Sequence, residues 1–393
     1  MEALATGPAQ DAVQALLDRL VAEGSEIGIQ VCAYQGETCV VDAWSGVTEK
    51  GGNVAVTPDT LFNVFSVTKA VCSTAVHMQV ERGLVDYDAP VATYWPEFAA
   101  AGKGDITVRQ VLSHVSGVYR MPPDVTPELM TNWDWMCRRI AEMPASYPAG
   151  SRSSYQAMTF GWLTGEIVRR TDPKRRPFGQ FIRDEIALPL GADDLWVGID
   201  DAVEPRVATL DPESVYVAPD GNAMREATPL QVDLMPHVFE LPFVRRATIG
   251  AVGGIFNARS CARLWAMLAN CGTLGGVRLL SADRVESFTQ PRPHFDDADP
   301  VFFGMKVPIA WSGYWLGGDN PPVSAPRNPR ALSHPGMGGN IGWADLDSGL
   351  AVAFCHNRMF DTREVAQDHR TLVGDTIRAA LGQAAQVPEA AAQ

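Results

Sequence analysis

Residues 61–71 read LFNVFSVTKAV, and within them Ser66 and Lys69 lie three positions apart. The apolar run before Ser66 is typical of a β-strand, and the residues after it predict a helix from Ser66 to about Arg82 that stops at Gly83. Positions i and i+3 of a helix share one face, about 5–6 Å apart at Cβ, so the amine can reach the hydroxyl. Because a serine hydroxyl is a weak nucleophile until a base takes its proton, the pair predicts an activated serine.

The predicted start of this helix favours the same chemistry. Free backbone N–H groups at a helix N-terminus stabilise a developing oxyanion, and the helix dipole favours negative charge there. Lys69 is expected to be largely buried, and desolvation lowers the pKa of an amine until it is neutral often enough to accept a proton. From the tetrad alone, the alternative is an N-cap serine followed by an ordinary surface lysine.

The composition predicts a folded, acidic protein. The 393 residues are 46% hydrophobic and 20% charged, which allows a sizeable core in two domains or one large composite domain. The net charge of −14 disfavours nucleic acid and anionic membranes as partners. The N-terminus lacks the pattern of a secretory signal, and no apolar stretch approaches the roughly 20 residues that cross a bilayer, so we expect a cytoplasmic protein.

Cysteine, histidine and glycine spacing gives no sign of a metal or cofactor. The seven cysteines include no CxxC pair, and a bridge between Cys32 and Cys39 across a hairpin is not expected. The histidines are too far apart in sequence for a zinc-protease motif, and Gly-x-Ser-x-Gly is absent. The glycines of residues 336–342 lack dinucleotide spacing. We therefore expect neither a metal nor a cofactor.

Hydrophobic periodicity predicts an α+β protein. The predicted helices are 8–23, 66–82, 107–113, 133–143, 158–170, 178–188, 260–270 and 364–381, and the predicted strands are 27–34, 38–44, 302–309, 339–345 and 350–356. The strands near both chain ends are expected to share one sheet, so residues 1–85 and 244–393 would form a sheet domain. Residues 86–243 would form a mostly helical subdomain, and the tail after residue 381 is expected to be disordered.

The context of Ser66 and Lys69 resembles the nucleophile motif of the class C β-lactamase-like serine hydrolases, which include the family VIII carboxylesterases. Segments 109–117, 147–155, 250–280 and 333–339 resemble further parts of that family in the same order. The resemblance covers roughly residues 10–380. It implies a β-lactamase/DD-peptidase-like fold, an antiparallel sheet flanked by helices plus the helical subdomain, with the active site at their interface.

The resemblance also implies a role for each matching residue. Ser66 would be the nucleophile, and Lys69 and Tyr155 would share the base role, with Tyr155 later handing the proton to the leaving group. A nearby ammonium is expected to pull the pKa of Tyr155 down from its usual ~10. The backbone N–H groups of Ser66 and Met337 would form the oxyanion hole, and the Met337 side chain would line the pocket.

His334 and Gly336 are further candidates for substrate binding, and they coincide with a departure from the family pattern. His334 stands where lactamases and DD-peptidases keep a lysine for the substrate carboxylate, and Ala157 stands where they keep an asparagine. Imidazole has an ordinary pKa of ~6.5 and is mostly neutral at pH 7, so both changes favour uncharged esters. His334 is alternatively a strand residue bonded to backbone. For His114 we expect a scaffold role rather than a dyad with Ser116.

The sequence thus predicts a serine carboxylesterase that acts on a small-molecule ester through an acyl-enzyme. The same residues leave open a β-lactamase, a D-amino-acid peptidase or amidase, or an acyltransferase. A catalytically silent binding protein of the same fold is the alternative from another class, and retention of Ser66, Lys69 and Tyr155 together argues against it. The natural substrate and the oligomeric state do not follow from the sequence.

Overall fold

The computed structural model of the protein describes residues 5–212, 218–318, 326–360 and 368–383. The helices are α1 Pro8–Ala22, α2 Thr68–Glu81, α3 Val108–Leu112, α4 Pro127–Met130, α5 Trp133–Glu142, α6 Thr159–Thr171, α7 Phe178–Ile182, α8 Ala223–Ala227, α9 Pro236–Phe239, α10 Pro242–Arg245, α11 Ala258–Ala269, α12 Ala282–Ser287 and α13 His369–Ala380. Short 3-10 or π turns are Val91–Thr93, Pro96–Gly102, Arg183–Ala187, Glu204–Arg206, Leu230–Val232 and Met337–Gly339. The strands are β1 Gly28–Gln35, β2 Thr38–Gly46, β3 Phe62–Phe65, β4 Leu195–Val197, β5 Asp211–Pro212, β6 Gly254–Phe256, β7 Thr273–Leu274, β8 Val277–Arg278, β9 Ala298–Asp299, β10 Met305–Lys306, β11 Trp315–Leu316, β12 Ala331–Pro335, β13 Ile341–Asp345, β14 Leu350–His356 and β15 Arg358–Met359.

The largest sheet joins strands from the two ends of the chain, as predicted. Its order is β11-β12-β13-β14-β1-β2, and every neighbouring pair is antiparallel. β1 and β2 form the predicted hairpin. β14 pairs with β1 from His356 opposite Ile29 to Leu350 opposite Gln35. The predicted α+β fold with an antiparallel sheet flanked by helices is therefore confirmed.

Helices cover both faces of this sheet. α1 and α13 pack together on one face, where Val13 and Leu17 meet Val31, Phe354 and Ile377 in a compact core. α11 packs on the other face against β1, β13 and β14. Because both faces are covered, β1 is buried along nearly its whole length and reads as an almost continuous apolar run.

A second sheet leads the chain into helix α2. Its strand order is β3-β6-β4, and α2 begins soon after the end of β3. The helix is buried from Thr68 to Gln79 and packs against α6. A helix that is buried on all sides belongs to the middle of a core, so the N-terminal turn of α2 is held rigidly inside the main hydrophobic cluster.

The strand predicted over residues 302–309 is wrong in extent. Within this run only Met305–Lys306 forms a strand, paired with β9, and Ile309 makes an isolated bridge to Trp315. The chain turns at Phe303 and Gly304, which have φ values of 57° and 73°. The apolar side chains of this run are buried against the aromatic cluster around Tyr155 rather than in a ladder. Apolar burial without regular structure produces the same sequence pattern as a short strand.

The division into a sheet domain and a helical subdomain remains a prediction. Segment 86–243 contains α3 to α9, but it also contributes β4, which pairs with β6, and β5, which pairs in parallel with β15.

The final helix begins at His369, with Asp368 as its N-cap. The predicted helix start at residue 364 and the tail after residue 383 lie outside the described residues. Within the described ranges, no helix is long and apolar enough to span a bilayer.

Candidate active site

Ser66 lies in the turn between β3 and α2. Phe65, at the end of the strand, has a φ of 46°, a left-handed conformation that bulky residues adopt only when their surroundings enforce it. The Thr68 hydroxyl helps to hold Phe65 in this conformation. It donates to the Phe65 carbonyl at 2.5 Å and accepts from the Gly254 N–H at 2.9 Å. Ser66 keeps 7% exposure while Lys69 is fully buried. The turn therefore fixes the hydroxyl at the edge of the core with the amine behind it.

The Lys69 amine reaches the Ser66 hydroxyl, as the spacing predicts. Nζ lies 2.9 Å from Ser66 Oγ, and it donates to the carbonyls of Ala157 at 2.7 Å and Ala251 at 3.1 Å. A neutral amine has two N–H bonds and one lone pair. The two carbonyls can take both N–H bonds, which leaves the lone pair facing the hydroxyl. This cage therefore suits a neutral amine that accepts the serine proton.

The electrostatics of Lys69 agree with that geometry. Burial lowers the pKa of Lys69 from 10.5 to about 7, because an ammonium removed from water loses its hydration. In the part of the chain that the structure describes, no carboxylate pairs with Nζ to stabilise the charge. The expected lowering of this pKa is confirmed, and much of the amine is uncharged at neutral pH.

Tyr155 lies beside this pair. Lys69 Nζ is 5.1 Å from the centroid of the Tyr155 ring. Burial raises the pKa of Tyr155 above its ordinary value, and the interaction of the phenol with the Ser66 side chain offsets only part of that rise. The prediction that an ammonium lowers this pKa is wrong, because desolvation of the phenolate dominates and Lys69 is itself partly neutral. The phenol is therefore protonated at neutral pH.

The segment that carries Tyr155 has no regular structure and is held from two sides. On one side His114 takes two N–H groups: its carbonyl accepts from Ser154 at 2.9 Å and its Nδ1 accepts from Gln156 at 2.9 Å. The imidazole also stacks on the Tyr155 ring with centroids 5.0 Å apart. On the other side, the Asp299 carboxylate accepts the Tyr155 N–H at 2.9 Å. Sequence reasoning missed Asp299, which stands in an acidic run without a motif.

His114 does not form a dyad with Ser116. Ser116 Oγ donates instead to Gln156 Oε1 at 2.5 Å. Since His114 Nδ1 accepts a backbone N–H, it carries no proton, and burial lowers the pKa of this imidazole well below its ordinary value. The structure supports the scaffold interpretation, and it places that scaffold in direct contact with Tyr155.

His334 lies in β12 and is fully buried. Its Nδ1 donates to the Pro335 carbonyl at 2.8 Å, so Nε2 is an unprotonated acceptor. Nε2 has no hydrogen-bond partner among the described residues. Burial, and then the charge of Lys69, lower the pKa of His334 well below its ordinary value. A neutral imidazole cannot anchor a carboxylate by ion pairing.

Gly336 brings the end of β12 against β3. A Cβ on Gly336 would lie 2.2 Å from the Val64 carbonyl oxygen, so only glycine allows this approach. Met337 follows directly and begins the turn Met337–Gly339. Across the described ranges, neither the Ser66 N–H nor the Met337 N–H donates to a protein acceptor. An oxyanion hole needs N–H groups that are not bonded within the protein, so these two groups remain the predicted pair.

Trp315 borders this site. Its ring is edge-on to Tyr155 with centroids 6.1 Å apart, and its centroid lies 5.6 Å from that of His334. Phe302 adds a second edge-on contact to Tyr155 at 5.3 Å. The wall on this side of Tyr155 is therefore aromatic and uncharged.

The described residues include no group of three His, Cys, Asp or Glu that could hold a metal ion. All seven cysteines are free. The sulfur atoms of Cys32 and Cys39 lie 3.9 Å apart, well beyond the roughly 2.0 Å of a disulfide. The two thiols face each other across the hairpin, and no bridge joins them.

Comparison with known proteins agrees with this geometry. The family model described as Beta-lactamase matches residues 13–374. The chain belongs to the beta-lactamase family. This beta-lactamase family member is 31% identical over 378 residues to the esterase/beta-lactamase LipL of Mycobacterium tuberculosis. The aligned region covers 91% of this chain and 83% of LipL.

Two solved structures are similar to it over almost their full length. A family VIII carboxylesterase superimposes with a TM-score of 0.85 at 31% identity, covering 97% of this chain and 99% of that one. A penicillin-binding protein homologue from Caulobacter crescentus superimposes with a TM-score of 0.84 at 30% identity, covering 96% and 99%. The resemblance inferred from the sequence is confirmed, and the chain is by family a serine hydrolase.

Proposed function

We propose that this member of the beta-lactamase family is a serine carboxylesterase that cleaves small uncharged esters through an acyl-enzyme on Ser66. The observation that carries the proposal is the 2.9 Å contact between Lys69 Nζ and Ser66 Oγ, made in a cage that suits a neutral amine. The names of similar proteins agree with it, since LipL is an esterase/beta-lactamase and the solved structure is a family VIII carboxylesterase.

Acylation begins with the Ser66 hydroxyl. Lys69 Nζ takes the hydroxyl proton as Oγ bonds to the ester carbonyl carbon, so the amine becomes an ammonium and the carbonyl oxygen an oxyanion. The backbone N–H groups of Ser66 and Met337 donate to that oxyanion. Removing one such donor typically costs about 10²–10³ in kcat, so both N–H groups matter.

Tyr155 supplies the proton for the leaving group. As the tetrahedral intermediate collapses, the bond from carbon to the alcohol oxygen breaks and that oxygen takes the phenol proton. The phenolate is then reprotonated by the Lys69 ammonium, whose Nζ lies beside the Tyr155 ring, 5.1 Å from its centroid. Its raised pKa makes Tyr155 unsuited to be the first base, which leaves that role to Lys69.

Deacylation runs the same steps with water in place of the alcohol. Water attacks the acyl carbonyl carbon while the neutral amine of Lys69 takes one of the water protons. Ser66 Oγ leaves and recovers that proton, which restores the neutral amine, the hydroxyl and the phenol. After a turnover the three side chains are back in the protonation states in which they started.

The side chains around the site favour uncharged substrates. His334 is neutral, and Trp315 and Phe302 present aromatic rings. Ala157 has only a methyl side chain at the position where the asparagine of the family would hold a substrate amide. A carboxylate on the substrate would therefore lie in this pocket without a compensating ion pair.

The second candidate is β-lactam hydrolysis by the same residues. One observation favours it: the similar protein LipL carries both activities in its name. A D-amino-acid peptidase or amidase and an acyltransferase would also use Ser66, Lys69 and Tyr155. These activities differ from the proposed one only in the leaving group or the acceptor, so substrate comparison separates them.

The test is turnover of p-nitrophenyl butyrate and of nitrocefin by the native chain and by Ser66→Ala. We expect a higher kcat/KM for the ester, and a loss on the order of 10³-fold or more in Ser66→Ala. Ser260→Ala is the matched control, because Ser260 is also a buried serine close to a helix start. That variant should keep full activity.

Three outcomes would contradict the proposal. Ester turnover that survives Ser66→Ala would rule out the nucleophile. A preference for nitrocefin would replace the esterase with a β-lactamase. Absence of turnover together with absence of labelling by a fluorophosphonate would point to the silent binding protein.

A further inference from the structure

Asp299 is a fully buried carboxylate with four hydrogen-bond donors. Its Oδ2 accepts from the Ser153 hydroxyl and from the Tyr155 N–H at 2.9 Å. Its Oδ1 accepts from the N–H groups of Val301 at 2.8 Å and Phe302 at 3.0 Å. An ionised carboxylate offers about four lone-pair positions, and here each has a donor. Asp299 thus joins the segment of Tyr155 to a loop 144 residues further along the chain.

Arg292 supplies the opposite charge in this buried network. Its Nη2 donates to Ser153 Oγ at 2.6 Å and to the Val307 carbonyl at 3.1 Å, while its Nη1 donates to the Ser113 carbonyl at 2.6 Å. Since Ser153 Oγ accepts from Arg292, its single proton is free to go to Asp299. The Ser153 hydroxyl therefore bridges the buried Arg292 cation and the buried Asp299 anion by hydrogen bonds to both. Such pairing offsets the free-energy cost of removing the two charges from water.

We propose that Asp299, together with Ser153 and Arg292, is a positioning residue for Tyr155 in the ester hydrolysis proposed above. Tyr155 lies on a segment without secondary structure, so no helix or ladder fixes its backbone. His114 holds the N–H groups on either side of it, and Asp299 holds the N–H of Tyr155 itself. The inference rests on the proposed function, because it assigns Asp299 a part in that reaction.

The same carboxylate also orders the ring that packs on Tyr155. By accepting the Phe302 N–H, Asp299 fixes the backbone of the residue whose ring lies edge-on to the phenol at 5.3 Å. One side chain thereby sets both the backbone of Tyr155 and one wall of its ring. A misplacement of about 1 Å at a reacting group can lower a rate about 10²-fold, so such support is relevant to catalysis.

Asp299 acts on the phenol electrostatically as well. Its negative charge disfavours a second negative charge nearby, and after burial it contributes to the raised pKa of Tyr155. The effect has the sign that the mechanism needs, because a proton donor to the leaving alcohol must be protonated before that step.

A double-mutant cycle between Asp299→Asn and Tyr155→Phe tests the inference. Asparagine keeps the size of the side chain but removes the charge and replaces one acceptor with a donor. We expect Asp299→Asn to lower kcat for p-nitrophenyl butyrate about 10- to 100-fold with little change in KM, counted per site titrated with a fluorophosphonate. In the Tyr155→Phe background the same change should have almost no further effect, because Asp299 acts through the phenol.

Asp345→Asn is the matched control. Asp345 is also a buried aspartate paired with an arginine, Arg378, at 2.7 Å, but it lies at the far end of β13 from Gly336. The Asp345→Asn variant should have a lower midpoint of thermal unfolding than the native chain and the same kcat per titrated site. An Asp299→Asn variant that behaves like this control, or that loses the same factor in both Tyr155 backgrounds, would overturn the inference.

Ser153→Ala decides the question if Asp299→Asn does not fold. It removes a single hydroxyl, the link between Arg292 and Asp299, and we expect a smaller fall in kcat that again disappears in Tyr155→Phe. An unchanged kcat in a folded Ser153→Ala would then overturn the inference. Failure of the proposed function is distinguishable, because it shows as ester turnover that survives Ser66→Ala, whereas failure here leaves the dependence on Ser66 intact.

Discussion

Lys69 and Lys103 are both buried lysines, and desolvation lowers the pKa of each, to about 7 and about 8, yet their hydrogen-bond partners differ in kind. Lys103 Nζ donates to three carbonyls, those of Ala100 at 2.9 Å, Ala141 at 2.8 Å and Met143. All three partners are carbonyl oxygens, which hold no proton that the amine could take. Lys69 has two carbonyls and one hydroxyl, and a hydroxyl is able to give a proton as well as take one. Burial alone therefore does not make a lysine a general base. What distinguishes Lys69 is its third contact, a hydroxyl that can give up its proton, where Lys103 has a third carbonyl.

This contrast predicts different results for the same substitution. Lys69→Met should lower kcat about 10²–10⁴-fold, the range expected when a general base is removed. Lys103→Met should lower the midpoint of thermal unfolding but keep kcat, since the hydrogen bonds of Lys103 go to the carbonyls of Ala100, Ala141 and Met143, which take no part in the proposed reaction. Steady-state kinetics with p-nitrophenyl butyrate and a thermal melt of both variants check this. Equal losses of kcat in the two variants would show that the effect is structural.

The pKa of Lys69 predicts the pH dependence of acylation. The reaction needs the neutral amine, and burial places this pKa at about 7. As pH rises through 7 the amine loses its proton, so kcat/KM should rise and then level off above pH 8. A kcat/KM profile from pH 5 to 9 measures this. A rate that falls over that range would contradict Lys69 as the base.

Which active-site residues the sequence could predict depends on how local their signal is. Ser66 and Lys69 share one helical turn, so their spacing carries the prediction. Tyr155 was found only through the resemblance, because nothing local links it to Ser66. Asp299 has no sequence signal, since its role comes from tertiary contacts to a segment far away in the chain. The pKa of Tyr155 was predicted with the wrong sign because the degree of burial does not follow from the sequence.

The turn after β3 and the turn after β12 together form the proposed oxyanion hole. Gly336 lets them approach, and its own φ of −112° is open to any residue. The constraint at this position is therefore space and not backbone conformation.

Gly336→Ala should consequently impair both activity and stability. The added Cβ, 2.2 Å from the Val64 carbonyl oxygen, must push β12 away from β3 and displace the Met337 N–H. Loss of one oxyanion donor typically lowers kcat about 10²–10³-fold, so we expect a decrease of this size. Kinetics and thermal melts measure the two effects.

The control for this variant is Gly374→Ala in α13. A Cβ there meets its nearest neighbour, Trp343, at an ordinary 3.6 Å. It should leave kcat unchanged, and the higher helix propensity of alanine should hold or raise stability. If Gly336→Ala has the kcat of this control, Met337 does not supply the oxyanion donor.

Elements with clear periodicity were predicted well, and those fixed by tertiary packing were not. The hairpin of β1 and β2 and the helices α1, α2 and α11 follow the sequence pattern closely. The run 302–309 does not, because the turn at Phe303 and Gly304 folds its apolar residues onto Tyr155. An apolar run indicates that its residues are buried. It does not indicate which residues they pack against, because that depends on the tertiary fold.

Across the fold, Glu26 joins parts of the chain that are distant in sequence. It lies just before β1, and its carboxylate contacts His356 Nδ1 at 3.0 Å and His369 Nδ1 at 2.7 Å. His356 Nε2 in turn lies 3.1 Å from the Gly338 carbonyl oxygen. Glu26 thereby ties the ends of β1 and β14 and the start of α13 to the turn that contains Met337.

The ionisation of Glu26 predicts part of the acid sensitivity of the fold. Burial alone would raise its pKa, but the attraction and hydrogen bonds of His356 and His369 outweigh burial and hold it below 4.5. A carboxyl whose pKa is lowered by folding adds stability above its unfolded pKa, and this is lost as pH falls through the folded value. Glu26→Gln should therefore lower the free energy of unfolding at pH 7 by about 3–5 kcal/mol, as for a broken buried pair.

Urea unfolding of the native chain and of Glu26→Gln at pH 7 and pH 4 measures this contribution. The difference between the two chains should be smaller at pH 4. Glu23→Gln, at an exposed glutamate that precedes Glu26 closely in the sequence, should behave as the native protein at both pH values. An equal difference at both pH values would show that the charge of Glu26 does not contribute.

The fold class was within reach of the sequence because the strands near both chain ends are apolar and the region between them is mostly helical. The register of the sheet was not, since it depends on which strand pairs with β1. The pairing of β4 with β6 and of β5 with β15 was also missed, because strands of two or three residues leave no periodic pattern.

The central claim is that the Ser66 oxygen becomes covalently acylated during turnover. Rapid acid quench of the protein with p-nitrophenyl butyrate, followed by peptide mapping by mass spectrometry, tests it directly. The account predicts one butanoyl group on the peptide that contains Ser66 and no such adduct in Ser66→Ala. An ester-hydrolysing protein that carries the acyl group on another residue, or an adduct that persists in Ser66→Ala, would contradict it.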